Sequence, residues 1–180
     1  NFVHGVPVFG GAIRLLHHGT IVLGVIHDPT QRETFTAVKG RGARLNGRRM
    51  RVSPVRRLED SLLSTGFNEN FRTDPTRYLE WFTAFQHRTH AVRRMGSTAL
   101  SLAYVAAGRQ DGFYEKDLWP WDIAAGLLLV EEAGGRVSDF QGREVKRLEN
   151  GKIIASNGHL HRAMLRVIAR PGSLKKYFCK

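Results

Sequence analysis

The chain has 180 residues, 42% of them hydrophobic and 24% charged, with a formal net charge of +12. That composition fits a globular domain able to bury about 70% of its unfolded surface, and it excludes a disordered segment. No apolar run reaches the ~18 residues of a membrane span, and the lone cysteine, Cys179, excludes an intrachain disulfide, which fits a reducing cytoplasm.

The opening Asn1-Phe2-Val3-His4-Gly5 has no initiator methionine and no basic stretch followed by an apolar one. It reads as the interior of a longer protein rather than as a signal peptide. An antiparallel region is expected over residues 1–57. Val6 to Leu16 is apolar up to a turn at His17-His18-Gly19, and Thr20 to Ile26 is β-branched. Asp28-Pro29-Thr30 is a second turn, after which Glu33 to Val38 alternates apolar and polar residues. Asn46-Gly47 tolerates the two positive φ angles of a type I′ hairpin. Eight cations and no acid lie between Lys39 and Arg57, and Lys175, Lys176 and Lys180 follow in a basic tail over 173–180. These eleven side chains account for all but one of the net positive charges. The segment could contact phosphates or could simply be a solvated face.

Over 58–172 strands and helices alternate. Ser61 to Thr65 is a short strand ending at Gly66, a glycine that either borders a pocket or only makes a turn. Asp74-Pro75 opens a helix whose buried stripe is expected to be Tyr78, Leu79, Phe82 and Phe85. Ala91 to Met95 is a strand, and Gly96-Ser97-Thr98 starts a helix. Gly112 to Glu115 is a strand. Pro120 to Ala133 is a nearly all-apolar helix and should be buried on most sides. Strands Arg136 to Asp139 and Lys152 to Ala155 precede a last helix over His159 to Ala169. The eight histidines show no metal-ligand spacing and read as solvated or packing residues.

The most informative stretch is Trp119-Pro120-Trp121-Asp122-Ile123-Ala124-Ala125-Gly126. Pro120 suits the first turn of a helix, so Asp122 lies where free N–H groups favour an anion and a carboxylate is available to a hard cation. The plain alternative is that Asp122 only caps its helix and Trp121 only fills core. Small residues at 124–126 let the helix approach a neighbouring backbone.

These residues, with Leu129-Val130 and Glu132-Ala133-Gly134-Gly135, resemble the C-terminal signature of the inositol monophosphatase family, most closely its bacterial branch. Lys39-Gly40-Arg41-Gly42-Ala43 with Leu45-Asn46-Gly47, Gly96-Ser97-Thr98-Ala99-Leu100, and Tyr104-Val105-Ala106-Ala107-Gly108 extend the likeness along almost the whole chain. The resemblance implies an α/β (α+β layered) fold, an α-β-α-β-α sandwich truncated here at its amino end. It also implies a Mg²⁺-dependent, lithium-sensitive phosphatase of small phosphate monoesters, usually a homodimer. Carried over by motif, Asp122 is a metal ligand beside the substrate hydroxyls. Glu115 is the acid that binds a hydroxyl, or else only a surface carboxylate. Gly96, Ser97 and Thr98 line the substrate, although Ser97 and Thr98 also suit helix caps. In the pair Arg93-Arg94 one guanidinium could reach the pocket and the other a partner subunit; Arg93 is a substrate-binding candidate, although a structural role suits it better. Asn1-Phe2-Val3-His4-Gly5 looks like the residues directly after the family's metal-binding loop. On that reading only Asp122 of the metal cluster is present and the 180 residues are expected to be inactive alone. Lys116-Asp117-Leu118-Trp119 departs from the family, which often has a glycine soon after the glutamate. Some bacterial members associate with the transcription machinery, so the basic hairpin is a second candidate site, for a transcription partner or RNA.

Overall fold

The computed structural model describes residues 1–145 and 151–172; the basic tail 173–180, with Cys179, lies outside the described residues. Five antiparallel strands form the first sheet in simple order: β1 (Gly11–His17), β2 (Thr20–Asp28), β3 (Glu33–Val38), β4 (Gly42–Leu45) and β5 (Arg48–Arg49). Residues expected to be strand from Val6 instead begin with a short 3₁₀ turn, Phe2–His4, and enter the sheet only at Gly11. The Asn46-Gly47 hairpin forms as read, with φ of 47° and 79° at its two central residues. Asp28 fixes the turn after β2, its carboxylate accepting from the Thr30 N–H (2.9 Å) and the Thr30 hydroxyl (2.6 Å).

The second sheet is mixed, in the order β7-β6-β8-β10-β9: β6 is Leu62–Thr65, β7 Ala91–Arg93, β8 Gly112–Leu118, β9 Arg136–Ser138 and β10 Gly151–Ser156. β6 runs parallel to both β7 and β8, while β10 is antiparallel to β8 and β9. Helices α2 (Thr98–Ala106) and α3 (Pro120–Glu132) lie between the sheets, and α1 (Pro75–Gln86) and α4 (His161–Ala169) cover the outer face of the second. Alternation along the strands sorts their side chains into two cores. Phe113, Ile153 and Ala155 face inward to α2, α3 and Phe35 of the first sheet. Tyr114 and Ile154 face outward to Trp81, Phe85 and Met164.

The α3 helix is buried over Ile123 to Val130 because it is clamped from both sides. A Cβ on Gly24 of β2 would come within 2.8 Å of the Ala125 carbonyl oxygen, so only glycine permits this approach of strand to helix. In α1 the buried stripe is Tyr78, Trp81, Ala84 and Phe85, whereas Leu79, expected inside, is exposed. Trp81 is drawn inward by its edge contact with Phe140 (5.0 Å) and by donating its indole N–H to the Ile168 carbonyl (3.1 Å).

In β8 the Gly151↔Leu118 and Ile153↔Glu115 pairings leave one extra residue on β8, a β-bulge. Asp117 in this bulge has φ of 60°. The left-handed conformation that glycine adopts at least cost is here adopted by an aspartate, among the side chains that tolerate it best.

His161 at the start of α4 is fully buried between two serines, with Nε2 2.8 Å from Ser138 Oγ and Nδ1 2.9 Å from Ser156 Oγ. The Ser138 hydroxyl donates to the Asp139 carbonyl (2.7 Å), so it must accept from Nε2–H, and Nδ1 then accepts from the Ser156 hydroxyl. The neutral ring is thus satisfied on both sides, and burial pushes its pKa down to about 4 from 6.5. The unfolded chain takes up this proton at higher pH than the fold does, so stability is intact above pH 6.5 and falls as pH drops toward 4. The expected loss is roughly 2–3 kcal/mol. The difference in urea stability between the parent and His161→Gln, measured at pH 7 and at pH 4.5, should show it as a change of that size between the two pH values.

Candidate active-site cleft

A cleft of about 1030 Å³ opens where the carboxyl ends of β6 and β8 meet the amino ends of α2 and α3. Its position follows from topology: parallel strands β6 and β8 finish side by side, and the following helices begin at the same rim. From the end of β6 come Thr65 and Gly66; from β8, Glu115 and Asp117; from the entry to α2, Gly96, Ser97 and Thr98; from α3, Trp121 and Asp122.

Glu115 is the most perturbed of these groups. Only 6% of it is exposed, and its Oε2 accepts from the Thr98 hydroxyl at 3.1 Å. Burial pushes its carboxyl up to about 7; the neighbouring Asp122 charge adds to the rise, while the Thr98 bond and the Arg94 guanidinium oppose it. Near neutrality this carboxyl can therefore either donate or accept a hydrogen bond. A Cβ on Gly66 would sit 2.2–2.4 Å from the Glu115 carboxyl atoms, so the bare backbone at 66 makes the space that Glu115 occupies. Between the two readings of that residue, the structure puts it on the cleft wall.

Asp122 lies in the first turn of α3 and faces the same cleft. The free N–H groups expected to favour its charged form do not prevail. Burial holds its carboxyl above the usual aspartate range, and the Trp119 backbone N–H offsets this only in part. Trp121, considered as core filler, is 64% exposed and stacks on Trp119 at 5.1 Å with the rings nearly parallel. Ser97 caps α2, accepting from the Leu100 N–H at 3.4 Å, and lines the cleft as well.

Arg94, and not Arg93, is the arginine of the pair on the cleft wall. β7 ends at Arg93, whose guanidinium turns back to the Val92 carbonyl (3.5 Å). The Arg94 guanidinium lies 4.3 Å from the centre of the Phe67 ring, within the electrostatic reach of Glu115.

Other lining residues escaped the sequence reading. Asn1 reaches in from the amino end, donating to the Val8 (2.6 Å) and Met95 (3.0 Å) carbonyls. Asn68 donates to the Lys116 (2.9 Å) and Asp117 (3.0 Å) carbonyls and so pins the bulge. The one local signal in the sequence was Lys116-Asp117-Leu118-Trp119, where the family often has a glycine.

An acid poised near neutrality, a second carboxylate, a guanidinium and a helix start with small side chains suit a ligand that combines hydroxyls with an anionic group. Among the described residues no group of three or more His, Cys, Asp or Glu is placed to hold a metal ion. Mg²⁺ asks for several well-placed oxygens, so the described side chains do not by themselves fit that ion.

Comparison with known proteins gives a consistent result. The pattern of the inositol monophosphatase family matches residues 1–171. A Nus factor SuhB of Pseudomonas aeruginosa is 48% identical, aligned over 98% of this chain and 66% of its own length. An inositol-1-monophosphatase of Mesorhizobium japonicum is 44% identical over 97% of this chain and 65% of its own length. The structure of an inositol monophosphatase from Anabaena superposes with a TM-score of 0.94 at 40% identity, covering 98% of this chain and 69% of that one. The chain thus spans about two thirds of the length of the curated relatives it matches.

Proposed function

Because the chain belongs to the inositol monophosphatase family, we propose that it carries the substrate-binding half of a phosphomonoesterase acting on inositol monophosphate or a similar small polyol phosphate. The convergence of Glu115, Asp122 and the start of α2 on one cleft supports this reading most strongly. In this assignment Glu115 binds a substrate hydroxyl, Thr98 holds Glu115 in place, and the Gly96–Thr98 turn offers N–H groups to the substrate. Asp122 contributes one oxygen donor to Mg²⁺, and the other donors come from the part of the relatives' length that this chain does not span, since the described residues offer no further cluster of them. When bound, the ion would lower the pKa of a water and neutralise the phosphate. The chain alone is accordingly inactive or nearly so, and the full-length enzyme is a cytoplasmic homodimer. No described helix is long and apolar enough to cross a membrane.

The test is phosphate release from inositol 1-phosphate. Extended at its amino end with the corresponding segment of a matched relative, the protein should release phosphate only with Mg²⁺, and lithium should suppress it. Release by the unextended chain at the same rate, or none by the extended one across several monoesters, would overturn the assignment.

The Nus factor relative supports a second role, a contact with the transcription machinery or RNA through the basic hairpin. Arg48, Arg49 and Arg51 are all exposed on or next to β5. Charge reversal at these three positions should weaken such an association in a strongly salt-dependent manner while leaving phosphate release unchanged.

A further inference from the structure

A second cavity of about 720 Å³ lies on the outer face of the second sheet, between α1 and α4, and its lining is strongly basic. Lys152 of β10 and Arg162 and Arg166 of α4 are exposed on its wall, joined by Arg77 of α1 and Lys116 of β8. Among the described residues Asp74 is the one carboxylate on that wall, and it is already engaged by Lys116 at 2.9 Å. Arg77 pairs with Glu80 at 3.1 Å. Among the described residues, Lys152, Arg162 and Arg166 form no ion pair.

The placement of Arg162 is unfavourable without a ligand, whereas Arg166 lies in the last turn of α4, where the helix dipole favours a cation. Arg162 and Arg166 stand four residues apart on one helix, where like charges repel. Arg162 also sits in the first turn of α4, the end at which the helix dipole disfavours a cation. The helix contains no acidic residue to compensate. The rest of the wall is Gln141, Ala169 and the apolar side chains of Trp81, Phe140, Leu165 and Ile168.

We propose that this cavity binds a small molecule carrying two or more phosphates and an apolar or aromatic portion, of the nucleoside di- or triphosphate class. Arg162, Arg166 and Lys152 take the phosphates, and the apolar side chains of the wall take the remainder of the molecule. The site is separate from the cleft: on β8 Glu115 faces the cleft while the adjacent Lys116 faces this cavity.

Titration of the full chain with ATP and with pyrophosphate, at fixed ionic strength and without divalent cation, tests the site. Both probes should bind, ATP the more tightly, and R162E/R166E should weaken ATP binding by about tenfold or more. K152E, a change on a different element, should weaken it as well. R48E/R49E, on the distant hairpin, should leave it unchanged. Absence of binding, or loss in R48E/R49E with retention in R162E/R166E, would overturn the proposal by reducing it to general attraction of polyanions to a basic chain.

Discussion

Asp122→Asn should lower phosphate release by the extended enzyme by about three orders of magnitude while leaving the fold intact. The substitution keeps the shape of the side chain and removes the charge that a divalent cation requires. Burial already holds the Asp122 carboxyl above the usual range, so a neutral amide costs the fold little. If Asp122 served only to support its helix, the same change would show in urea unfolding as a loss of ~1 kcal/mol and barely in activity. Activity and stability measured on one variant therefore separate the two roles. Unchanged release would remove Asp122 from the cation site.

Glu115→Gln is expected to act in opposite directions on stability and activity. In the fold this carboxyl titrates at about 7, against 4.5 when unperturbed. Between those values the folded chain holds more protons than the unfolded one, so stability declines as pH rises from 4.5 to 7 and stays low above it. The full penalty of the charged form is roughly 3 kcal/mol. Glutamine removes that penalty, so the variant should be more stable than the parent at pH 8 by about 2–3 kcal/mol and nearly equal to it at pH 4.5. Phosphate release should fall ten- to a hundredfold, on the order of one charge-assisted hydrogen bond to the substrate. Urea midpoints at the two pH values and a pH–rate profile read both effects. Lower stability at pH 8 would show that the charged carboxylate supports the fold. The histidine at 161 tilts the profile the other way over an overlapping range, so the parent should show a flatter curve than either variant.

The parts of the fold that local chemistry determines were legible in the sequence. Asn46-Gly47 announced its hairpin because few other dipeptides accept two positive φ angles, and Pro120 announced the start of α3 because proline fits only the first turn. The stripe of α1 was not legible in the same way. Apolar residues occupy more than half of its circumference, and Phe140, more than fifty residues away, decides that Trp81 and not Leu79 turns inward. The cleft divides along the same line. Glu115 and Asp122 fall within one short stretch whose pattern can be read, whereas Gly66 and Asn68 join them only through the parallel pairing of β6 with β8. The choice of Arg94 over Arg93 likewise depends on where β7 ends, and a one-residue difference in strand length reverses it.

The extra residue in β8 sets a counting frame. Glu115, Lys116 and Asp117 alternate between the two cavities, but after the bulge Leu118 returns to the interior instead of facing out, and α3 starts two residues later. Removing Asp117 would restore strict alternation with Leu118 still facing inward, but would bring the start of α3 one residue closer to Glu115. Homologous sequences should therefore conserve the number of residues from Glu115 to Asp122 more strictly than their identity, since chain length there sets the phase between the two carboxylates.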